Sequence, residues 1–257
     1  MGPSLKNAHK FRALILNLVI SLISVGVINF ILINFSVFWK QLLLGKNSLS
    51  EGLTFQDTMW LMFVIGLIEV VKRRKEIVDL EKFQRISYLP EKFEDLIDDN
   101  SLTQVIKTAK EDASKERGIL PYMILQIALQ YRTNFSIALI SDFLTKQIEI
   151  FLHQTELKFN QLKYIVWLIP SIGFMGTVYG IGLAVTKLGE GKLDDPELLV
   201  SMAKSLGIAF NTTLLALVMS VALQFLMQYF EAREERVINR YGKYILDNLI
   251  NKIVEKR

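Results

Sequence analysis

The stretch Tyr164-Ile-Val-Trp-Leu-Ile-Pro-Ser-Ile-Gly-Phe-Met-Gly-Thr-Val-Tyr-Gly-Ile-Gly-Leu-Ala-Val-Thr186 contains no charged residue. At 1.5 Å per residue a helix of that length reaches about 35 Å, more than the roughly 30 Å hydrocarbon core of a bilayer. Ala13 to Trp39 and Ser205 to Phe230 are also free of charge, and the segments between these runs are dense in Lys, Arg, Asp and Glu. A hydrophobic fraction of 51% over 257 residues would suit one large soluble domain equally well, so it is the distribution of charge that decides. Three uninterrupted runs of this length place the chain in a membrane.

Working outward, Lys6, Lys10 and Arg12 precede the first run as they would a signal peptide. The run is longer than a signal h-region and lacks a small-x-small cleavage site, so it reads as a retained span. A further segment, Leu53 to Val71, carries Asp57 near one end and Glu69 near the other. Its uninterrupted core, Thr58 to Ile68, covers only about half a bilayer, and the alternative to a span is an interfacial or core helix. Topology favours spanning. Lys72 to Lys75 follow this segment and Arg233, Arg236, Arg240 and Lys243 follow the last run. Basic flanks stay in the cytoplasm together with the N-terminus, which an even number of spans satisfies. Asp57 and Glu69 are then expected at the membrane interface, where a charge costs least.

The expected architecture is an all-α membrane protein with four transmembrane helices, the last two extending into a cytoplasmic helical bundle. An N-terminal hairpin occupies 1–71, with spans of about 13–39 and 53–71. A cytoplasmic helical region follows at 72–163, with Pro90 and Pro121 as helix boundaries. The second hairpin occupies 164–230, with spans of about 164–186 and 205–230, and a cytoplasmic helix closes the chain at 231–257. Beyond Pro121 no breaker appears before the membrane. Ile148, Phe151, Leu152, Thr155, Phe159 and Leu162 recur at helical spacing, as do Ile238, Tyr241, Ile245, Leu249 and Ile253.

Chemistry is limited by what is missing. Without cysteine there is no disulfide, thiol catalysis or thiolate metal site, and His9 and His153 are too few for an imidazole cage. No soluble active site is expected, and no metal or cofactor. The net charge of +4 comes with basic residues clustered at the ends of the apolar runs, which is a topology signal and not a nucleic-acid footprint.

In the third span Gly173, Gly176, Thr177 and Gly180 share one helical face, open to close approach of another helix. Ordinary helix packing explains the glycines by itself. The Thr177 hydroxyl either points into that seam, where it can serve a passing ion or proton carrier, or bonds its own backbone. The fourth span carries Ala209, Thr213, Ala216 and Ser220 on one face, with Asn211 and Thr212 beside it. Asn211 is expected to face the bundle interior or a cavity, because hydrocarbon does not solvate it. Pro170, one turn inside the third span, removes a backbone hydrogen bond and sets either a fixed bend or a hinge. Neither run contains Asp, Glu, Lys, Arg or His, so a mid-membrane proton relay needs a group from another chain.

Pro170, Gly173 and Gly176-Thr177-Val178-Tyr179-Gly180, with Ser205-Leu206-Gly207-Ile208-Ala209-Phe210-Asn211-Thr212-Thr213, resemble the signatures of the MotA/TolQ/ExbB family of ion-driven motor subunits. The resemblance covers about Lys163 to Glu231. It implies a homopentamer around two copies of a single-span MotB/TolR/ExbD-like partner whose membrane aspartate carries H+ or Na+. It implies a multi-pass protein of the bacterial inner membrane with both termini cytoplasmic. Thr177 and Thr213 would line the ion path, with Asn211 and Thr212 counted in the same lining, Pro170 would match the family's conformationally important proline, and ion flow would rotate the pentamer. The chain departs from the transport-energising branch, with Ile208 in place of its acidic residue and Ala222 in place of a second proline. No counterpart of the torque-generating charge pair is evident in 72–120. A non-conducting membrane scaffold for cytoplasmic partners is the alternative function; a secondary transporter is disfavoured by the lack of inverted repeats.

Overall fold

The computed structural model describes residues 3–32, 41–45, 53–83, 86–90, 97, 99–113, 118–134, 136–190 and 196–253. The end of the first run (33–39), residues 40, 46–52 and 191–195 between expected spans, and residues 254–257 of the expected C-terminal helix lie outside that set. Among the described residues the fold is helical. The helices are α1 (Pro3–Leu32), α2 (Phe55–Phe83), α3 (Asp99–Ala113), α4 (Ile119–Asn134), α5 (Ile137–Glu190) and α6 (Pro196–Asn248), followed by a short 3-10 turn, Ile250–Lys252. One isolated parallel bridge joins Ile97 to Ile253.

Three helices contain segments long and apolar enough to cross a membrane: Ile15–Leu32 in α1, and windows within α5 and α6. Helix α2 is not among them. Asp57, Glu69 and Lys72 interrupt its apolar stretch, and it continues without a break past the basic cluster to Phe83.

The chain divides into two compact units. The first comprises Met1–Val71 and Gln161–Met227, the second Lys72–Asn160 and Gln228–Arg257. In the first unit large apolar side chains point outward: Phe174 is 66% exposed, and Phe210 and Phe225 are each 68%. An aqueous protein would not leave such a surface bare, whereas acyl chains or neighbouring subunits cover it without penalty. The interior holds polar residues that the sequence reading misplaced. Asp57 and Glu69, expected at the interface, are enclosed by protein. Thr54 and Asp57 form a capping box at the start of α2: the Thr54 amide donates to the Asp57 carboxylate (3.0 Å) and the Asp57 amide donates to the Thr54 hydroxyl (3.2 Å). The Asn29 side-chain amide of α1 donates a third bond to that carboxylate at 2.7 Å. A carboxylate satisfied in this way escapes most of the cost of leaving water.

The second unit is built around a bulky apolar core, in which Leu102 and Val105 of α3, Met123, Ile124 and Ile127 of α4, Tyr241 and Ile245 of α6, and Leu249 just past its end pack together. Both expected stripes face inward at their centres: Thr155 and Phe159 on α5 are buried, as are Ile238, Tyr241 and Ile245 on α6, while the helix expected over 231–257 stops at Asn248 and leaves the buried Leu249 and Ile253 beyond it. Pro121 falls in the first turn of α4, where its missing N–H is no loss. The uninterrupted helix expected from Pro121 to the membrane is instead two, α4 and α5, separated near Ser136. The Ser136 carbonyl accepts the first bond of α5, from the Ile140 amide. Serine is a good starting residue for a helix although it is a weak breaker in a sequence.

Candidate functional site

In the first unit α5 and α6 meet along the small-residue faces. A methyl added at Gly173 would lie 2.4 Å from the Ala216 Cβ and 3.2 Å from the Thr212 carbonyl oxygen. At Gly176 it would meet the Thr212 hydroxyl at 2.8 Å, and at Gly180 the Ala209 Cβ at 2.8 Å and the Ser205 carbonyl at 2.9 Å. Only glycine permits this separation, because backbone atoms cannot swing aside as a flexible side chain can.

At the centre of the seam the Thr177 and Thr213 hydroxyls touch each other. Thr177 also donates toward the Ala209 carbonyl (3.1 Å) and its own Gly173 carbonyl (3.2 Å). Thr213 lies 3.4 Å and 3.5 Å from the same two acceptors. Two hydroxyls from facing helices therefore share two carbonyls, and the single proton of Thr177 has both an inward and a self-bonding acceptor within reach. Both side chains are half-buried. Each hydroxyl has one proton and two lone pairs, so the pair can accept from or donate to a third group by rotating. It cannot change charge at any physiological pH.

Thr212 is separate from this pair. It is fully buried, packs on Gly176 and donates to its own helix at the Ala209 carbonyl (2.8 Å). Asn211, half-buried, has no side-chain hydrogen bond to the described residues and is not joined to the threonines. Ser220 donates across the seam to the Val166 carbonyl at 3.0 Å, and Pro170 sits inside α5 one turn along. At the other end of the seam the Lys187 ammonium donates to the Ser205 hydroxyl (2.9 Å) and the Ser201 carbonyl (3.4 Å). Spans that end at Thr186 and restart at Ser205 put Lys187 between helices, whereas it lies in α5; being the first charge after a charge-free run is its one visible signal.

A second polar constellation, within the second unit, was not foreseen. Glu234 on α6 is wholly buried, accepting from the Lys158 ammonium (2.7 Å) and the Thr155 hydroxyl (3.2 Å), both on α5. Arg233 forms a bidentate pair with Glu81 at 2.8 and 2.7 Å, which holds its guanidinium above its ordinary range. The Tyr241 phenol donates to the Leu80 carbonyl, and its burial pushes its pKa well above that of a free tyrosine. Tyr88 is shifted the same way, by burial first and then by its bond to Asp112.

Comparison with known proteins bears on what these geometries are for. Searches of curated proteins and of solved structures return no match. The family model of the MotA/TolQ/ExbB proton channel family matches residues 114–243, just over half of the chain and inclusive of the whole seam. The chain is therefore a membrane protein that belongs to the MotA/TolQ/ExbB proton channel family.

Proposed function

We propose that this chain is the ion-conducting subunit of an inner-membrane motor complex that converts ion-motive force into rotation or other mechanical work. The single observation that carries this reading is the paired hydroxyls of Thr177 and Thr213, set between two helices that carry no Asp, Glu, Lys, Arg or His through the same depth. A proton or sodium ion crossing there requires a carrier that changes charge, and the hydroxyls offer that carrier hydrogen-bond partners without a competing fixed charge. The carrier in this reading is the membrane carboxylate of a single-span partner, two copies of which stand inside a homopentamer. A protonated carboxylic acid donates to a threonine oxygen and, once ionised, accepts from the same hydroxyl.

Four spans belong to the same reading, with both termini and the second unit in the cytoplasm. What supports α2 as a span is that the two acids which interrupt it are enclosed, Asp57 accepting bonds from Asn29 and Thr54, so lipid does not have to accommodate them. An even number of crossings then puts Lys72–Lys75 and the basic stripe from Arg233 on the cytoplasmic side.

Reconstitution with the single-span partner tests the proposal. Ion flux is expected from the complex, to fall at least tenfold in Thr177→Val and Thr213→Val, which keep the volume and remove the hydroxyls. Unchanged flux in both variants refutes the assigned pathway, and a complex that never conducts favours the scaffold function.

A further inference from the structure

We propose that Ser220 is a positioning residue for the bend at Pro170, supplying from α6 the hydrogen bond that the proline removes from α5. In a helix the amide of residue 170 would donate to the carbonyl of residue 166, and proline has no amide proton to give. The acceptor left without its helical donor is the Val166 carbonyl, and this is the group that the Ser220 hydroxyl reaches at 3.0 Å. In a region without water an unpaired carbonyl has no other donor to turn to, which makes such a bond structurally consequential. Both ends are protected, Val166 being buried and Ser220 half-buried.

The other hydroxyls of these two helices show that the contact is not the default. Ser171, Thr186, Ser205 and Thr212 each donate to a carbonyl of their own helix, the common outcome for hydroxyls in spans. Thr177 and Thr213 divide their bonds between the two helices. Among the described hydroxyls of 164–230, Ser220 alone donates to a carbonyl on the opposite helix and to none on its own.

The consequence is mechanical. Ser220 lies on the same α6 stripe as Ala209, Thr213 and Ala216, so the bend in α5 is tied to the helix that carries one of the two central threonines. Pro170 cannot flex alone: opening the bend either breaks the Ser220 bond or carries α6 with it. The pair acts as a latched hinge in which α5 and α6 move together.

The role of the latch in transport rests on the proposed function, whereas the bond itself does not, and a double-mutant cycle separates them. In the detergent-solubilised chain at one scan rate, Ser220→Ala is expected to lower Tm by about 2–4 °C, the shift given by one lost hydrogen bond in a chain of this size. In the Pro170→Ala background, where the amide of residue 170 again supplies Val166, Ser220→Ala is expected to shift Tm by less than about 1 °C, and Ser220→Thr to keep the parent Tm. Additive shifts, or a silent Ser220→Ala beside an intact Pro170, overturn the bond. In the reconstituted complex Ser220→Ala is expected to lower flux severalfold and Ser220→Thr to restore it. Coupled Tm values with unchanged flux overturn the positioning role. A wild-type complex without flux refutes the proposed function and leaves the Tm cycle to decide the bond.

Discussion

Helices α5 and α6 meet twice, once in each unit, and the two contacts are built from different chemistry. In the first unit they touch through Gly173, Gly176, Gly180, Ala209 and Ala216, with hydroxyls bonded to carbonyls. In the second, Tyr241, Ile245, Ile140 and Leu144 share a bulky apolar core, and a buried carboxylate is paired with a lysine. Lipid is as apolar as leucine, so burying leucine between helices in a bilayer gains little, and close backbone packing with polar contacts takes over. In water the same burial is the main driving force, at roughly 25 cal/mol per Å². A single helix thus changes its packing code along its length.

The largest effect expected in a test of this contrast comes from the second contact. Lys158→Met leaves Glu234 buried with only Thr155 as donor and is expected to destabilise by about 3 kcal/mol, since the lysine head is partly solvated. Adding Glu234→Leu should recover most of the loss in denaturant melts. A silent Lys158→Met would mean that water reaches the carboxylate.

The same substitution at two glycines sharpens the comparison. Gly180→Ala drives a methyl into the Ser205 and Ala209 backbone and should cost roughly 1–3 kcal/mol. Gly242→Ala meets only the outer part of the Ile148 side chain, its Cδ1 and, at 3.1 Å, its Cγ1, and no backbone atom. Its cost should stay within about 1 kcal/mol, offset by the helix preference of alanine. Equal losses at the two sites would erase the proposed difference in packing code.

A smaller effect, about 1 kcal/mol, is expected from Tyr241→Phe, which removes the hydroxyl bonded to Leu80. It has a pH signature. The folded-state pKa of Tyr241 is raised, so its contribution is complete below the ordinary tyrosine value of about 10 and is lost as pH rises beyond it. Tyr88 acts in the same direction. Melts of the wild type should weaken above about pH 10, and Tyr241→Phe should reduce that slope.

Much of this was legible before any coordinates. Charge-free runs and their basic flanks announce membrane crossing because a bilayer tolerates so few exceptions. Three- and four-residue spacing likewise put Gly173, Gly176, Gly180 and Thr177 on one face. Contacts that depend on the register between two helices were not legible: nothing near Ser220 in the sequence points to Val166, and Glu234 lies in a charged stretch that reads as a solvated face. Asp57 was misplaced for a different reason. The Thr54-x-x-Asp57 spacing of a capping box was present, but a charge in an apolar segment draws attention to topology before capping. The start of α5 at Ser136 was hidden because neither Gly nor Pro marks it.

The most direct test is an experimental density map of the assembled complex, with its single-span partner, at a resolution that shows side chains. The expected result is Thr177 and Thr213 facing a central space between protomers, with a partner carboxylate within about 3.5 Å of one of the hydroxyls. Threonines turned toward lipid, with protomers closed on one another and no carboxylate at that depth, would contradict it.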